Sequence, residues 1–337
     1  MAEQETPTEA RQQIEAFQQD YERIAGQIAR VIVGHEAVVH QVLACLLAGG
    51  HALLEGVPGI GKTLLVRTLA GVSDMSFSRI QFPPDLMPAD ITGTYLVEAA
   101  EGGAKAFRFQ QGPIFAHLVL ADEINRATPK TQSAVLEAMQ EQTVSVARTT
   151  HELPQPFLVL ATQNPLEMEG TYPLPEAQLD RFLLKARVET PETHELVAIL
   201  DRTTGAETPS VERVVSGRRL LEMRSLVRQV AAASHVKEYI ARVVRATHPT
   251  TPEAPEATRK YVRYGSSPRG AQAMLLAAKV LALRKGRANV AFDDVEAVAL
   301  PALRHRLILS FEGQADGVDG DDLVRQVLDS VPKARTV

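Results

Sequence analysis

The first part of the chain repeats apolar residues with the period of a helix. The positions are Ile14, Phe17, Tyr21, Ile24, Ile28 and Val31, which follow one another at spacings of three and four. Such spacing places the apolar side chains on one face of a helix. Two interpretations stay open: this face packs on the domain that follows, or it contacts a neighbouring subunit. A second helix is predicted over roughly residues 35–47.

Five short apolar runs then alternate with helical patterns. The runs occupy residues 51–55, 78–82, 117–121, 157–161 and 185–189. Continuous apolar runs of this length, separated by helical segments, are typical of parallel strands buried between crossover helices. The pattern therefore predicts an α/β fold built on a five-stranded parallel sheet.

Two segments interrupt the alternation and predict inserted β-hairpins. Residues 83–113 contain several prolines and two strand-like pieces, 94–97 and 106–109, on either side of a glycine pair. Residues 143–154 contain two further strand-like pieces around a polar turn. Neither segment is needed to complete a core, and insertions of this kind often carry function.

After Glu189 the pattern becomes helical, with polar joints rich in proline. We predict four regions along the chain. They are a disordered tail over 1–9, an α/β nucleotide-binding domain over 10–189, an all-α helical lid over 190–310, and an acidic linker with a C-terminal helix over 311–337.

Composition narrows the classes of function. The 337 residues are 45% hydrophobic and 23% charged with a net charge of −5, so no global charge attracts nucleic acid. The single cysteine, Cys45, fits a reducing compartment. The N-terminus lacks the basic and apolar regions of a signal peptide, and no apolar run approaches the ~20 residues that span a bilayer. We therefore expect a cytoplasmic protein without a membrane span.

The clearest chemical signal is residues 56–63, which read Gly-Val-Pro-Gly-Ile-Gly-Lys-Thr. A predicted strand precedes them and a predicted helix follows, which is the context of a phosphate-binding loop. The glycines let backbone N–H groups turn toward phosphate oxygens, and the helix adds the positive end of its dipole. Lys62 is expected to reach the β- and γ-phosphates and Thr63 to bind Mg²⁺. The expected cofactors are ATP or ADP and Mg²⁺.

Two acidic residues end the third apolar run. Asp122 and Glu123 directly follow Leu118–Ala121. Since a buried strand rarely ends in paired carboxylates without a function, we expect Asp122 to complete the Mg²⁺ shell through water. Glu123 is expected to polarise the water that attacks the γ-phosphate. The alternative is a simple helix N-cap at Asp122.

Three further polar residues are candidates for the same chemistry. Asn164 follows the fourth run and is placed to hold the attacking water, unless it only forms an Asn-Pro turn. Arg181 is a candidate arginine finger that acts on the neighbouring subunit, unless it forms an ordinary surface ion pair with Asp180. Arg269 begins a helix and is a candidate for the γ-phosphate of its own subunit, unless it faces solvent.

These motifs, in this order, resemble the MoxR family of AAA+ ATPases. The resemblance covers roughly residues 25–310. It rests most on the long stretches 81–93 and 170–182, which are more specific than the phosphate loop. Shorter matching stretches are 31–36, 112–115, 120–127 and 161–165.

The resemblance implies a set of site residues. The nucleotide-binding residues are Ile32, Val33, Gly34, Gly56, Val57, Pro58, Gly59, Ile60, Gly61, Lys62, Thr63, Leu64, Asp122 and Arg269, of which Thr63 and Asp122 hold the metal. The catalytic residues are Lys62, Glu123, Asn164 and Arg181. Residues 32–34 correspond to the segment that contacts adenine. Arg126 either serves the neighbouring site or only forms an ion pair at a helix start.

The resemblance also implies partners. Members of the family are expected to form homo-oligomeric rings, usually hexamers, and to remodel a protein client. They often act beside a protein with a von Willebrand factor A domain, in maturing complexes or inserting metals into them. Two other functions stay open: a nucleic-acid motor, against which the charge balance argues, and a nucleotide-gated scaffold with little hydrolysis, against which the intact Glu123 and Arg181 argue.

Overall fold

Five parallel strands lie at the centre of the computed structural model, which describes residues 7–99, 105–165, 170–205 and 209–333. The described strands are β1 Ala52–Glu55, β2 Phe77–Gln81, β3 Gly93–Ala99, β4 Lys105–Gln111, β5 Leu118–Asp122, β6 Thr143–Val146, β7 Thr149–Glu152, β8 Leu158–Gln163, β9 Leu184–Arg187, β10 Val262–Tyr264 and β11 Ile308–Leu309. The central sheet has the order β2-β5-β8-β1-β9. The predicted α/β fold with a five-stranded parallel sheet is confirmed.

Helices surround this sheet and form the second domain. The described helices are α1 Pro7–Val31, α2 Glu36–Ala48, α3 Lys62–Gly71, α4 Pro88–Thr92, α5 Pro129–Glu141, α6 Glu176–Leu179, α7 Thr193–Thr204, α8 Gly217–Gln229, α9 Ser234–Ala246, α10 Glu256–Tyr261, α11 Pro268–Arg284, α12 Phe292–Leu303, α13 Phe311–Ala315 and α14 Gly320–Ser330. Across the described ranges, no helix combines the length and the apolar character that crossing a membrane requires.

The first helix begins earlier than predicted. It starts at Pro7, so the last three residues of the predicted disordered tail over 1–9 are helical. Proline suits the first helical turn, and Glu9 in that turn favours the positive end of the helix dipole. The rest of the predicted tail, residues 1–6, lies outside the described residues.

The central strands contribute side chains to two separate hydrophobic cores, one on each face of the sheet. Leu118 and Leu120 of β5 pack with α1, α2 and helices of the second domain. Val119 and Ala121 pack on the opposite face, against α5 and the segments around the hairpins. Because successive side chains of a strand point to opposite faces, a sheet covered on both faces requires a continuous apolar run.

The apolar face of α1 packs on the chain's own core. Phe17, Tyr21 and Ile24 are almost fully buried, in the core that α1 shares with α2 and the second domain. Each such side chain contributes about 2 kcal/mol when it leaves water. Of the two interpretations of this face, the structure supports packing within the chain.

Both inserted hairpins are present, and they contact each other. Strands β3 and β4 pair antiparallel, as do β6 and β7. The ring of Phe109 on β4 stacks on the ring of His151 on β7, with centroids 4.0 Å apart. The glycine pair predicted at the tip of the first hairpin lies outside the described residues.

Among its described residues, the second domain is mainly helical and contains one short antiparallel strand pair, β10 with β11. The prediction of an all-α lid did not include these strands. They form because two extended segments run side by side, and the pairing satisfies backbone groups that no helix uses. The backbone N–H of Ser310, directly after β11, donates to the Tyr261 carbonyl oxygen at 2.7 Å.

The C-terminal helix predicted after residue 310 is present as α14, and acidic residues at its start form ion pairs that the sequence did not predict. Asp319 caps α14 and accepts hydrogen bonds from both terminal nitrogens of Arg187, at 2.8 and 2.9 Å. These bonds lower the pKa of the Asp319 carboxyl to about 2. Asp321 is buried, with its Oδ1 2.9 Å from Arg304 Nε. The acidic residues therefore neutralise arginines and fasten α14 to the sheet domain.

Candidate functional site

The phosphate loop connects the end of β1 to the first turn of α3. Gly59 and Gly61 have φ angles of 84° and 87°, in the left-handed region that favours glycine. Helix α3 begins at Lys62 with Gly61 as its N-cap, so its free N–H groups point into the loop. The Lys62 ammonium group lies within the loop and donates to the carbonyl oxygens of Gly56 and Val57.

Two carboxylates lie beside this loop because β8 is inserted between β1 and β5. Asp122 ends β5, and Glu123 adopts a left-handed conformation with φ 57° that turns the chain into a single 3₁₀ turn. Thr162 on β8 holds both residues. Its hydroxyl donates to Asp122 Oδ1 at 2.6 Å and accepts from the Glu123 backbone N–H at 2.8 Å. The strained backbone at Glu123 is therefore fixed from the neighbouring strand.

Two residues of the edge strand β2 also contact the carboxylates, and sequence reasoning missed both. Arg79 donates to Asp122 Oδ2 through Nε and Nη2, at 3.0 and 2.7 Å. Gln81 Nε2 donates to Glu123 Oε2 at 2.7 Å. One pattern in the sequence could have indicated them. Arg79 and Gln81 flank the buried Ile80 in β2, so their side chains lie on the same face of the strand, opposite to Ile80.

Arg126 forms an ion pair within its own chain. Its Nη1 lies 3.0 Å from Glu123 Oε2, three positions earlier. The Arg126 side chain is 44% exposed, so this pair contributes at most about 1 kcal/mol to stability. In this chain the structure places Arg126 in the helix-start pair that was one of its two open interpretations.

The carboxylates and the loop line one cavity of about 380 Å³, called here the phosphate-loop cavity. Lys62, Thr63, Asp122, Glu123 and Asn164 all line it, and Asn164 is buried. The Thr63 hydroxyl and the Asp122 carboxylate are oxygen donors of the kind that Mg²⁺ prefers. The donor set of this cavity therefore fits Mg²⁺ held together with a nucleotide phosphate.

A larger apolar cavity of about 480 Å³ adjoins the loop on its other side. Ile32 and Val33 line it together with Leu196 and Ile199 of α7, while Pro58, Gly59, Ile60, Gly61, Lys62 and Leu64 line its loop side. Apolar walls of this kind suit the flat ring of a nucleobase. Gly34 lines a neighbouring cavity instead, and its φ angle of 67° lies in the left-handed region that favours glycine.

Arg181 and Arg269 lie together, away from the phosphate-loop cavity of their own chain. They line a cavity of about 170 Å³, called here the arginine cavity, with Gly50, Met139, Asp180 and Arg306. Arg181 Nη1 donates to the Leu136 carbonyl oxygen at 2.6 Å, and its buried Nε has no hydrogen-bond partner. Arg269, the candidate for the γ-phosphate of its own subunit, has its Nη1 3.6 Å from Asp180 Oδ2.

Asp180 explains the position of both arginines. It accepts a hydrogen bond from the Ser267 hydroxyl at 2.8 Å, which fastens the start of α11 beside α6. It also accepts from Arg306 Nε at 2.9 Å. Arg306 further donates to the carbonyl oxygens of Phe182 and Leu183, at 2.6 and 3.2 Å. The second domain is thereby locked onto the segment that carries Arg181.

Burial lowers the pKa values of two residues at this contact between the domains, Arg306 and His305. Desolvation lowers the pKa of the Arg306 guanidinium, and the Asp180 carboxylate opposes that change. The neighbouring His305 is also buried, its Nε2 lies 3.1 Å from the Phe182 carbonyl oxygen, and desolvation lowers the pKa of its ring. His305 is therefore a neutral hydrogen-bonding group in the folded protein at neutral pH.

Two sequence profiles match the chain. The ATPase family associated with various cellular activities (AAA) matches residues 51–184, which include both carboxylates and the phosphate loop. The AAA lid domain matches residues 255–327, which include Arg269, Arg306 and most of the acidic segment. The matched ranges thus cover both the phosphate-loop cavity and the second-domain part of the arginine cavity.

Several known proteins are similar over nearly their whole length. Chaperone MoxR1 of Mycobacterium tuberculosis is 43% identical over 92% of this chain and 81% of its own. Protein MoxR of Paracoccus denitrificans is 31% identical over 83% of this chain and 86% of its own. A crystal structure from Cytophaga hutchinsonii, of a protein proposed to be an ATPase, has a TM-score of 0.88 and 38% identity, covering 95% of this chain and 97% of that one.

Proposed function

The chain belongs to the MoxR family of AAA+ ATPases, and from that premise we propose that it hydrolyses ATP in the phosphate-loop cavity. The observation that carries the proposal is the convergence of Lys62, Thr63, Asp122, Glu123 and Asn164 on one cavity. These residues come from the ends of β5 and β8 and from the first turn of α3. They supply a cation, two carboxylates and two neutral polar groups.

Each residue has a distinct role in the proposed reaction. Lys62 binds the β- and γ-phosphates, and the loop N–H groups hold the remaining phosphate oxygens. Thr63 and Asp122 hold Mg²⁺, which when bound neutralises charge on the phosphates. Glu123 accepts a hydrogen bond from the attacking water and polarises it, while Asn164 fixes that water in line with the γ-phosphate. The apolar cavity with Ile32 and Val33 takes the adenine ring.

We further propose that the reaction is completed by a second copy of the chain. Arg181 and Arg269 lie outside their own phosphate-loop cavity. The guanidinium of Arg181, rather than its buried Nε, is the group proposed to reach the neighbouring nucleotide, where it spreads positive charge over the transition state. Head-to-tail contacts of this kind close into a ring, and we expect a hexamer.

The work done by such a ring is proposed from the relatives. Chaperone MoxR1 is named as a chaperone, which supports a protein client for this chain too. We propose that hydrolysis remodels such a client in the cytoplasm, beside a protein with a von Willebrand factor A domain. Maturation of a client complex, including metal insertion, is the proposed outcome.

One observation favours a second candidate, a nucleotide-gated scaffold with little hydrolysis. Glu123 Oε2 accepts hydrogen bonds from both Gln81 and Arg126, at 2.7 and 3.0 Å. A carboxylate oxygen held by two donors is a weaker partner for water. On this view nucleotide binding alone changes the state of the ring.

The deciding experiment is the substitution Glu123→Gln. Under the proposed function, turnover should fall by roughly 10²-fold or more while the Kd for ATP stays within about twofold, since Gln keeps the shape but does not polarise water. Steady-state phosphate release and equilibrium ATP binding measure the two quantities. Glu137→Gln is the matched control, because Glu137 is exposed on α5. Turnover that survives in Glu123→Gln refutes the assigned role, and a wild-type protein that binds ATP without turnover supports the scaffold.

A further inference from the structure

Arg79 is a cation in the phosphate-loop cavity that the proposed reaction does not use. It projects from the edge strand β2, and its side chain is 49% exposed. Its Nε and Nη2 both donate to Asp122 Oδ2, at 3.0 and 2.7 Å. Lys62 and Thr63 line the same cavity. Arg79 therefore contacts the proposed metal-binding carboxylate from inside the space where a nucleotide phosphate belongs.

The hydrogen bonds of Asp122 leave little room for a second cation. An ionised carboxylate accepts about four hydrogen bonds, about two at each oxygen. Arg79 donates both of those at Oδ2, and the Thr162 hydroxyl donates one at Oδ1. Any metal that takes an oxygen of Asp122 must therefore displace the guanidinium from Oδ2 or share Oδ1 with Thr162.

Arg79 and a divalent cation are both positively charged, so they compete for the Asp122 carboxylate. Asp122 is buried, and a buried carboxylate without a counter-charge is costly. Arg79 supplies that counter-charge, while a divalent cation at the same carboxylate repels the guanidinium. Because Arg79 is half exposed, it can turn from Asp122 toward water without becoming a buried unpaired charge.

A further bond shows that Arg79 is oriented toward the carboxylates. Its Nη2 also donates to Gln81 Oε1 at 2.8 Å, two positions along the same strand. Gln81 in turn donates to Glu123 Oε2 at 2.7 Å. The guanidinium is thus part of a hydrogen-bonded row that touches both carboxylates, which distinguishes it from a surface arginine without fixed partners.

We propose that Arg79 competes with Mg²⁺ for Asp122 and thereby sets how strongly nucleotide binding depends on the metal. The inference rests on the proposed function, because it takes Asp122 as the metal carboxylate. Arg79 is a positioning residue, because it acts through Asp122. It holds the Asp122 carboxylate in place, and it raises the Mg²⁺ concentration at which nucleotide is held tightly.

The test is the Kd of ADP, measured by isothermal titration calorimetry in EDTA and in excess Mg²⁺. The Kd in EDTA divided by the Kd in Mg²⁺ reports how much the metal strengthens ADP binding, and no hydrolysis is needed to measure it. In Arg79→Ala this ratio should rise about tenfold over the wild type, equivalent to about 1.4 kcal/mol, because the competing charge is gone. Arg79→Lys keeps a cation at the position and should stay within about threefold of the wild type. Complex formation between Mg²⁺ and free ADP is the same for every variant.

A matched control and two contrary outcomes make the test decisive. Arg67 is exposed on α3, close to the phosphate loop in the chain, so Arg67→Ala removes the same charge without touching Asp122 and should keep the wild-type ratio. A ratio that is unchanged or smaller in Arg79→Ala, with a clear metal effect in the wild type, overturns the competition. A wild-type protein that binds ADP equally well with and without Mg²⁺ shows instead that the proposed metal site is wrong.

Discussion

The phosphate-loop cavity and the arginine cavity hold their charges in different ways. In the first, Asp122 and Glu123 meet partners that are half exposed, Arg79 and Arg126. In the second, Asp180 meets Arg306, whose side chain is only 2% exposed. Exposed partners can exchange at little cost, whereas removing a buried partner strands a charge. The first cavity is therefore able to rearrange when a ligand arrives, and the second is fixed.

The two cavities also differ in how the chain assembles them. The phosphate-loop cavity is built mainly from the ends of neighbouring strands and the loop after β1. The arginine cavity combines segments of both domains, around residues 180–183, 267–273 and 306. We infer that the first is the ligand-responsive half of the active site. From the proposed function we also infer that the second presents Arg181 and Arg269 to a neighbouring subunit.

The largest effect is expected on turnover, when the arginine that is proposed to act on the neighbouring subunit is removed. Arg181→Ala should lower turnover by roughly 10³-fold, because an arginine finger stabilises charge only in the transition state. The Kd for ATP should change little, since Arg181 lies outside the phosphate-loop cavity of its own chain. Phosphate release and equilibrium ATP binding are the two measurements.

Mixed rings sharpen that prediction. Arg181→Ala and Glu123→Gln subunits are each inactive alone, yet in a mixture some sites combine an intact Glu123 with a neighbour's intact Arg181. Partial recovery of turnover is expected, and a mixture no more active than its components would show that Arg181 does not act across subunits. Arg213→Ala, at an exposed arginine, is the control for the loss of charge.

The next effect concerns the stability of the arginine cavity. Arg306→Ala should reduce the free energy of unfolding by about 3 kcal/mol, because it removes one partner of a buried ion pair and the donor to several carbonyl oxygens. Urea unfolding measures the difference. Arg325→Ala breaks an exposed pair with Asp322 and should cost at most about 0.5 kcal/mol. If both variants lost the same free energy of unfolding, the buried pair of Arg306 would be no stronger than an exposed pair, and the arginine cavity could not be called fixed.

The smallest effect is a dependence on pH that centres on His51, beside the arginine cavity. Its Nδ1 accepts from the Val159 backbone N–H at 2.9 Å, and its Nε2 lies 3.0 Å from the Met139 carbonyl oxygen. Burial lowers the pKa of His51 from 6.5 to about 4. Between these values the unfolded chain binds the proton and the folded chain does not, so stability falls as the pH falls.

Urea unfolding at pH 7.5 and pH 5.0 measures this dependence. His51 should account for about 2 kcal/mol of the stability lost between the two values. In His51→Gln that share disappears, so the difference between the two pH values shrinks even if the variant is less stable overall. His194→Gln, at an exposed histidine, should retain the wild-type difference. An unchanged difference in His51→Gln would mean that His51 does not titrate in this range.

Much of the architecture follows from local patterns in the chain. The five apolar runs predicted the five strands of the central sheet, and the prolines and glycines of residues 83–113 predicted the first hairpin. The ion pairs of the acidic segment were not predicted, because residues such as Asp319 look solvated in the sequence, while in the fold they contact Arg187. No local pattern in the sequence predicts an ion pair between residues as far apart as Arg187 and Asp319.

For the candidate site, the motif spacing predicted the residues of the phosphate loop and the two carboxylates that follow β5. It did not predict Arg79 or Gln81, because a strand with alternating polar residues usually just faces water. It also made Arg269 a candidate for the γ-phosphate of its own chain, without indicating that Arg269 lies beside Asp180. The hydrogen bond from Ser267 to Asp180, which holds the start of α11 at the arginine cavity, becomes visible only when both domains are assembled.

The sequence by itself determined the layers of the fold and the chemistry of the phosphate loop, because hydrophobic period and motif spacing act over a few residues. Only the tertiary structure decided which charges meet. Arg79 and Asp122 are 43 positions apart, and Asp180 and Arg306 are 126 apart. Their pairing depends on strand order and on domain packing, which bring distant residues together and exclude the water that would otherwise separate them.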